Sequence, residues 1–368
     1  MNQLSKRIIL IGGGSGGPVA PLLAVASELK KIDSSIEFLF VGTKQGPERQ
    51  LVENVGIRFI SIPAAKFRRY FSLSNFTDIF VFIYSLWRAR KIIEEFKPNL
   101  VFGAGGYVAL PISWMGWLAK SKVVLHQQDA RIGLANRLIS PVADLITTAF
   151  EKTSKDFSSG SGLGKKPLKP SAQWVGNPVR QEFFTPLNPD AKKKFSLDDF
   201  LPVLLVTGGG TGSTQINDVV SESLPELVNT HQVIHVTGAG KNNSTFKHRN
   251  YHPYEFLTAD FPDAMKLADV VIARAGLSTI SELSVLGKIS VIVPMHESHQ
   301  EDNADILRDR AAAVVLDKSE FSAQDLPRIV KSLKFNVGRQ KLLSENIRNL
   351  MPHNAAERIA QLISETLK

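Results

Sequence analysis

The sequence predicts an α/β protein built from two Rossmann-like domains, and three observations support this prediction. The chain has 368 residues, which is enough for two domains that each bury a core of their own. Short β-branched and apolar runs alternate with longer segments of helical character, a pattern typical of parallel βαβ units. The same scheme occurs twice along the chain, and in each half a glycine-rich segment follows the first run.

The short apolar runs are the predicted strands. They lack the apolar and polar alternation of a half-exposed strand, so we expect them to be buried on both faces of a parallel sheet. The runs of the first half are residues 7–11, 38–41, 59–62, 100–102, 123–126 and 145–148. Those of the second half are residues 203–206, 233–236, 270–273, 290–293 and 313–316.

The predicted domain boundary lies near residue 178, so that the N-terminal domain spans residues 1–178 and the C-terminal domain residues 179–352. Residues 154–171 are rich in Ser, Gly, Lys and Pro, which predicts a loop close to this boundary.

The end of the chain predicts a closing helix. Within residues 353–368, the apolar residues Ile359, Leu362, Ile363 and Leu367 recur at helical spacing. We expect this helix to pack on the N-terminal domain.

The composition excludes several classes of protein. Hydrophobic residues make up 43% of the chain and charged residues 21%, as in an ordinary globular protein. Cysteine is absent, which excludes disulfides, thiolate-bound metals and cysteine nucleophiles and fits a reducing cytosol. The apolar run at residues 8–11 is too short for a signal peptide, and no stretch approaches the ~20 residues of a membrane span.

The positive charge is concentrated in the first half of the chain. The net charge is +9, with 23 Lys and Arg against 12 Asp and Glu up to residue 178 and 21 against 23 beyond it. A basic N-terminal domain predicts an anionic partner, such as a membrane surface or a nucleic acid. No nucleic-acid recognition motif accompanies the charge, so the membrane surface is favoured.

Three glycine-rich segments follow predicted strands. The first glycine loop is residues 12–17, the second is residues 208–213, and the third is residues 103–106. Glycine after a parallel strand lets backbone N–H groups approach a ligand, and the following helix N-terminus attracts anions. These segments are therefore candidate phosphate-binding loops. A purely structural explanation is that the glycines make room for helices to pack closely on strands.

Two nucleotide-binding alternatives fit the sequence less well. Gly12, Gly14 and Gly17 match G-x-G-x-x-G, but the second strand carries Glu37 at its start and no acidic residue at its end to hold a dinucleotide ribose. No lysine of the P-loop type follows either the first or the second glycine loop. No metal-ligand spacing is present, so we expect no metal.

The second half carries polar groups after two further strands. Arg274 follows a predicted strand and can clamp a diphosphate, while Glu282 on the next helix can accept hydrogen bonds from a ribose. An Arg–Glu surface pair is the structural alternative. Near the strand ending at Val293, His299 and Gln300 offer hydrogen bonds that suit sugar hydroxyls.

Taken in order, these motifs resemble the MurG family, transferases that use UDP-GlcNAc to add GlcNAc to undecaprenyl-pyrophosphoryl-MurNAc-pentapeptide. The resemblance extends over nearly the whole chain. It implies a GT-B architecture, with two Rossmann-like domains facing across a cleft, the donor held by the second and the acceptor by the first. It also implies inversion at the anomeric carbon, with no metal and no cofactor besides the UDP-GlcNAc substrate. The family works at the cytoplasmic face of the bacterial plasma membrane.

The resemblance also implies roles for individual residues. Those at the donor are Arg180 and Arg274 with Gly210 and Thr211 at the diphosphate, Glu282 at the ribose, the backbone near Leu257 at the uracil, and His299 and Gln300 at the GlcNAc hydroxyls. Those at the acceptor pyrophosphate are Gly14, Ser15, Gly16, Gly17, Gly105, Gly106 and Tyr107.

The catalytic base is where the sequence departs from the family pattern. The family ends the first glycine loop in Gly-Gly-His, whereas Pro18 follows Gly17 here, and proline cannot accept a proton. The family motif His-Glu-Gln-Asn is here His-Gln-Gln-Asp at residues 126–129. We expect Asp129 to act as the base, with His126 as the alternative.

The basic domain also contains a candidate membrane face, in which apolar and aromatic residues adjoin cationic ones. A core helix with a charged solvent face is the structural alternative. The residues of the candidate membrane face are Phe80, Ile83, Trp87, Arg88, Trp114 and Trp117.

The function predicted from sequence is a peripheral glycosyltransferase whose partners are UDP-GlcNAc, an undecaprenyl-linked acceptor and anionic lipids, without nucleic acid. Two alternatives stay open. One is transfer to another lipid acceptor. The other, motivated by Pro18, is a catalytically silent scaffold that binds lipid or nucleotide sugar.

Overall fold

The computed structural model describes residues 6–13, 17–44, 48–63, 74–159, 171–242 and 244–368, apart from the side chains of residues 74–79 and 335. The chain divides into two compact units. Unit 1 comprises Met1–Arg180 and Met351–Lys368, and unit 2 comprises Gln181–Leu350. For comparison, the domain ends predicted from sequence were residues 178 and 352.

Strands and helices alternate along unit 1. The strands are β1 (Arg7–Ile11), β2 (Glu37–Gly42), β3 (Arg58–Ser61), β4 (Leu100–Gly103), β5 (Lys122–Gln127), β6 (Leu145–Thr148) and β7 (Gln173–Trp174). The helices are α1 (Val19–Ile32), α2 (Glu48–Glu53), α3 (Ser74–Phe96), α4 (Ala109–Leu118), α5 (Leu134–Ile139) and α6 (Glu151–Ser158).

The seven strands of unit 1 form one parallel sheet in the order β3-β2-β1-β4-β5-β6-β7. Both faces of the sheet are covered, as β1 illustrates. Ile8 and Leu10 enter the core cluster beneath α1, whereas Ile9 and Ile11 enter the cluster that includes residues of α3 and α4. Because successive side chains of a strand point to opposite faces, a strand buried on both sides must be apolar throughout.

Strands and helices also alternate along most of unit 2, although β9 is followed directly by β10 and α12 by α13. Its strands are β8 (Val203–Thr207), β9 (Gln232–Val236), β10 (Tyr251–Tyr254), β11 (Val270–Ala273), β12 (Ile289–Ile292) and β13 (Val314–Val315). Its helices are α7 (Ala191–Lys194), α8 (Thr214–Leu227), α9 (Phe261–Leu267), α10 (Leu277–Leu286), α11 (His299–Asp309), α12 (Leu326–Phe335) and α13 (Val337–Arg348). The six strands are parallel, in the order β10-β9-β8-β11-β12-β13.

The last helix, α14 (Ala355–Thr366), returns to unit 1 and packs against α1. Ile359 and Ile363 are fully buried in the same core cluster as Leu22 and Val25 of α1. The helical spacing of its apolar residues is what presents these side chains on one face.

The structure corrects the sequence prediction in three places. The two-residue strand β7 and the edge strand β10 were not predicted, since β7 is short and β10 contains Pro253, a residue that interior strands exclude. The loop predicted for residues 154–171 is wrong at its start, because Ser154 to Ser158 belong to α6. There Phe157 is buried, and Lys155 pairs with Glu151 one turn away at 2.7 Å. Residues 160–170 lie outside the described residues.

Both sheets reverse their strand order at one position. In unit 1 the reversal lies between the neighbouring strands β1 and β4, and in unit 2 between β8 and β11. The crossover helices on either side of such a point leave a crevice at the carboxyl ends of the strands, where open α/β sheets bind ligands. The first and third glycine loops flank the reversal in unit 1, and the second glycine loop and Arg274 flank it in unit 2.

Candidate functional site

The second glycine loop makes the turn from β8 into α8. Gly212 has a φ of +69°, and a Cβ there would lie 2.1 Å from the carbonyl oxygen of Thr237, so only glycine fits this close approach. Ser213 caps α8, its Oγ accepting a hydrogen bond from the N–H of Ile216 at 3.3 Å. In contrast, a Cβ on Gly210 would meet nothing within 4 Å. The outer part of the loop therefore leaves room for a ligand.

Arg274 connects the start of α8 to the segment that follows β12, at the edge of the sheet of unit 2 where the second glycine loop lies. Its Nη1 donates to the carbonyl oxygens of Val293 at 3.2 Å and Pro294 at 3.0 Å, beyond the end of β12. Its Nη2 donates to Ser213 Oγ at 2.7 Å and Gln215 Oε1 at 3.1 Å. Burial lowers the pKa of the guanidinium from its ordinary value, but an arginine remains charged in proteins. A cation thus lies beside the N-terminus of α8.

Lys241 is a second cation at this edge that the sequence reasoning missed. Its Nζ donates to the carbonyl oxygens of Thr211 at 2.8 Å and Gly212 at 3.3 Å. No motif surrounds it in the sequence. Only the contact between its segment and the second glycine loop reveals its place.

The remaining donor-site candidates of unit 2 lie on or near α10 and α11. Glu282 is buried in α10, the helix that follows Arg274. His299 is the exposed first residue of α11, and the Oε1 of Gln300 accepts from the N–H of Met295 at 3.1 Å. Buried Asn303 donates from Nδ2 to the carbonyl oxygen of Ala275 at 3.1 Å, which ties α11 to the loop after β11.

Two candidates lie outside helices and strands. Leu257 is partly buried in the segment that follows β10. Arg180 is partly buried and is the last residue of unit 1 before the chain enters unit 2. The segment just before Leu257 is bonded to the loop after β9, since the N–H of Gly238 donates to the carbonyl oxygen of Glu255 at 3.0 Å. Gly238 in turn packs against Gly212 of the second glycine loop.

The point at which the strand order of a sheet reverses is called its switch point. At the switch point of unit 1, between β1 and β4, the first and third glycine loops touch. Gly106 has a φ of +88°, and a Cβ there would lie 3.1 Å from the carbonyl oxygen of Gly13. Gly105, with a φ of +96°, lies against the side chain of Asn136. Tyr107 is exposed in the turn that precedes α4. Gly14, Ser15 and Gly16 lie outside the described residues.

The motif at residues 126–129 starts in β5, which ends at Gln127. The side chain of Gln127 holds the conformation of the residues that follow. Gln127 donates from Nε2 to the backbone oxygens of Asp129 at 2.8 Å and Arg131 at 3.1 Å, and its Oε1 accepts from Asn136 Nδ2 at 2.6 Å. Asp129 is partly exposed. The backbone of Asp129 is therefore fixed by Gln127.

His126 is placed differently. It is fully buried, with Nδ1 at 3.0 Å from Thr147 Oγ1 and Nε2 at 3.2 Å from Asn177 Oδ1. Both ring nitrogens are thus engaged within the protein. Burial lowers the pKa of His126 to about 4, because the imidazolium cannot be solvated there. This geometry favours a role in holding Asn177 and does not support His126 as the base.

The helices α3 and α4 carry the candidate membrane face. Phe80 and Trp87 are 67% and 56% exposed, and Ile83 and Tyr84 between them are also exposed. These four residues follow helical spacing and so share one face of α3. On α4, Trp117 is exposed together with Leu118, which was not predicted.

Two predicted members of this face are less exposed. Trp114 is partly buried and packs on the core of unit 1. Its Nε1 donates to the carbonyl oxygen of Leu138 at 3.1 Å, so it lies beneath the exposed residues of the candidate membrane face. Arg88 is partly buried. Among the described residues, no helix combines the length and apolarity needed to cross a bilayer.

Family models match both units of the chain. The glycosyltransferase family 28 N-terminal domain matches residues 8–148, and the glycosyltransferase family 28 C-terminal domain matches residues 203–363. The chain belongs to glycosyltransferase family 28. It is therefore a glycosyltransferase, and the predicted GT-B fold of two parallel-sheet α/β domains is confirmed.

Individual relatives are similar over nearly their full lengths. The chain is 32% identical to a UDP-N-acetylglucosamine--N-acetylmuramyl-(pentapeptide) pyrophosphoryl-undecaprenol N-acetylglucosamine transferase of Clostridium tetani, covering 98% of both chains. It is 33% identical to the Lachnoclostridium phytofermentans protein of the same name, covering 98% of this chain and 99% of that one. The crystal structure of Acinetobacter baumannii MurG matches with a TM-score of 0.71 at 22% identity, covering 98% and 100% of the two chains. The resemblance to the MurG family is confirmed.

The burial of His126 predicts how the stability of unit 1 depends on pH. The unfolded chain binds a proton at the ordinary histidine pKa near 6.5, whereas the folded unit binds it only near pH 4. Unfolding therefore takes up a proton between these values, and the free energy of unfolding should fall by up to about 3 kcal/mol as the pH is lowered through this window. In His126→Gln this part of the pH dependence should disappear.

Tryptophan fluorescence measures this effect in unit 1 alone, because all four tryptophans, at positions 87, 114, 117 and 174, lie in that unit. Urea unfolding would be followed at several pH values between 4 and 7. His296→Gln, which replaces an exposed histidine of unit 2, serves as the control and should leave the unfolding transition of unit 1 unchanged. If the free energy of unfolding changed equally with pH in the wild type and in His126→Gln, the assignment of this pH dependence to His126 would be wrong.

Proposed function

We propose that this protein is an inverting, metal-independent transferase that moves GlcNAc from UDP-GlcNAc to lipid I, the undecaprenyl-pyrophosphoryl-MurNAc-pentapeptide. The observation that carries the proposal is that each unit has its own switch point flanked by glycine loops or cations. One phosphate-binding crevice suits the donor diphosphate and the other the acceptor diphosphate. The names of the full-length relatives support this substrate pair.

The donor diphosphate is assigned to the crevice of unit 2. Free space above Gly210, the N-terminus of α8 and the guanidinium of Arg274 meet there. As UDP departs, negative charge develops on the diphosphate, and preorganised N–H groups and a cation stabilise that charge without a metal. Buried Glu282 on α10 accepts hydrogen bonds from the ribose.

This assignment predicts that substitutions of Arg274 and Glu282 change the affinities for UDP and for uridine in different ways. Arg274→Ala should weaken UDP binding about ten- to hundredfold, because a hydrogen bond to a charged group is lost. It should leave uridine binding unchanged, since uridine has no diphosphate. Glu282→Ala should weaken the binding of both UDP and uridine, since both contain the ribose. Titration calorimetry with UDP and uridine measures each affinity.

Arg308→Ala provides the matched control, because Arg308 is an exposed arginine of unit 2 that pairs with Asp305 and Asp317 on the surface. Its UDP affinity should equal that of wild type. If Arg274→Ala weakened uridine and UDP equally, the diphosphate assignment would be wrong.

Transfer requires a base for the acceptor hydroxyl. The hydroxyl oxygen forms a bond to the anomeric carbon on the face opposite UDP, the bond from that carbon to the diphosphate breaks, and UDP leaves with the electron pair. The hydroxyl proton passes to the carboxylate of Asp129. Supporting this role, Asp129 is partly exposed and held by Gln127, whereas His126 is buried and Pro18 has no proton acceptor.

If Asp129 is the base, Asp129→Asn should lower kcat about 10²- to 10⁴-fold while UDP-GlcNAc affinity stays unchanged. Proton transfer is lost, but the amide keeps the shape of the side chain. Pro18→His restores the usual family residue and should recover part of the loss in the double variant. Steady-state rates with lipid I provide the measurement.

The control for this variant is Asp156→Asn, on helix α6 of the same unit, where Asp156 is placed 4.0 Å from Lys152 at the surface. Wild-type kcat in Asp129→Asn would show that the base lies elsewhere.

The acceptor is lipid-linked, and the candidate membrane face would hold unit 1 on the inner leaflet. The exposed Phe80, Ile83, Tyr84 and Trp87 can enter the lipid interface, while the excess of Lys and Arg in the first half of the chain attracts anionic headgroups. The enzyme would thus act as a peripheral protein at the cytoplasmic face of the plasma membrane.

Vesicle binding tests this face. The double variant Phe80→Ser with Trp87→Ser should lower partitioning to anionic vesicles by about a hundredfold or more, since two large apolar side chains no longer leave water. Binding of the wild type should also weaken with salt, because the Debye length shrinks from ~10 Å at 0.1 M to ~3 Å at 1 M. Phe200→Ser, which changes an 89% exposed residue of unit 2, is the control. Equal binding of both variants would exclude this face.

The choice of acceptor is tested by transfer itself. Radiolabelled GlcNAc should pass from UDP-GlcNAc to lipid I and not to diacylglycerol. Transfer to diacylglycerol alone would establish a different lipid acceptor, and neither transfer nor donor hydrolysis would establish the silent scaffold.

A further inference from the structure

Glu48 is a fully buried carboxylate that takes no part in the chemistry proposed above. It is the first residue of α2, and its side chain is 0% exposed. Its Oε1 accepts a hydrogen bond from the backbone N–H of Thr43 at 2.9 Å and another from the hydroxyl of Thr43. Thr43 directly follows β2, so the carboxylate closes the turn between β2 and α2.

This closed turn lies against the first glycine loop. A Cβ on Gly13 would be 2.9 Å from Glu48 Oε1 and 3.0 Å from the backbone nitrogen of Thr43. Gly13 must therefore be a glycine for the loop to run this close. On its other side, the carbonyl oxygen of Gly13 meets the third glycine loop, 3.1 Å from where a Cβ of Gly106 would be. Gly13 thus lies between the Glu48–Thr43 pair and Gly106.

Packing alone does not require a carboxylate at this position. Burying a charge is costly unless strong hydrogen bonds compensate it. Val52 of the same helix is also fully buried and already attaches α2 to the apolar core. What a carboxylate adds is a strong, directional acceptor for the N–H and O–H of one residue, which fixes the end of β2.

We propose that Glu48 is a positioning residue for the acceptor diphosphate, an inference that rests on the proposed function. Through Thr43 and Gly13, it sets the separation between the backbone of Gly13 and that of Gly106, at the crevice to which the acceptor diphosphate is assigned. Glu48 does not touch the acceptor, because it is fully buried. Its removal loosens the crevice of unit 1 and leaves unit 2 unchanged.

Kinetic constants of a variant series test this role. Glu48→Ala should raise the KM for lipid I about tenfold or more, as expected for the loss of strong hydrogen bonds, with the affinity for UDP-GlcNAc unchanged. Glu48→Gln, which retains an acceptor oxygen, should recover a KM within about twofold of wild type. Thr43→Val, which removes only the hydroxyl donor, should raise the KM by a smaller factor and covers the case in which Glu48→Ala does not fold.

The matched control is Glu53→Ala, which removes an exposed carboxylate from the same helix. Thermal unfolding followed by tryptophan fluorescence would establish that unit 1 of each variant is folded. A lipid I KM that stays at the control value in Glu48→Ala and Thr43→Val would overturn the proposal. So would equal losses of donor and acceptor affinity, which would indicate a general structural role.

A binding measurement separates this inference from the proposed function. Inorganic pyrophosphate would be titrated in the presence of saturating UDP, which occupies unit 2. Weaker pyrophosphate binding in Glu48→Ala than in Glu53→Ala supports the positioning role even if the wild type does not use lipid I. Equal pyrophosphate binding in the two variants would contradict it.

Discussion

The reversal of strand order next to the first strand of each sheet is the constraint on which the rest of this structure depends. Parallel strands end at one edge, and crossovers that leave on opposite sides of a strand pair cannot cover the gap between them. In unit 1 that gap lies between β1 and β4, and in unit 2 between β8 and β11. The loops at the gap must turn sharply and remain open to a ligand, which is why glycine is concentrated there.

Glycine loops have little stiffness of their own, and the polar residues around them supply it. In unit 2, Arg274 and Lys241 each donate two or more hydrogen bonds to backbone or side-chain oxygens at the loop edge. In unit 1, Gln127 holds the backbone of Asp129, and Glu48 holds the turn beside Gly13. Donors held in place before a substrate arrives need no reorganisation during the reaction, and this increases their electrostatic effect on developing charge.

The two units share a fold but differ in charge and surface. The excess of positive charge lies in the first half of the chain, and the exposed aromatic residues of α3 lie in unit 1. Unit 2 is built on the same sheet order without that excess. A parallel sheet with helices on both faces fixes the position of the crevice and leaves the outer helix faces free to vary. The same architecture can therefore serve a lipid-linked ligand in one unit and a soluble one in the other.

The sequence by itself determined the fold class, nearly all strands and the loops that flank the switch points, because buried parallel strands are apolar throughout and their loops need glycine. It did not predict β10, whose Pro253 resembles a loop, nor the turns of α6 within a Ser-rich segment. Only the tertiary structure decided the roles of His126, Lys241 and Glu48. Each acts through a residue distant in sequence or across a turn: Asn177, Thr211 and Gly13 respectively. Burial and hydrogen bonding depend on which segments of the chain lie in contact in the folded protein. Local residue patterns do not determine those contacts.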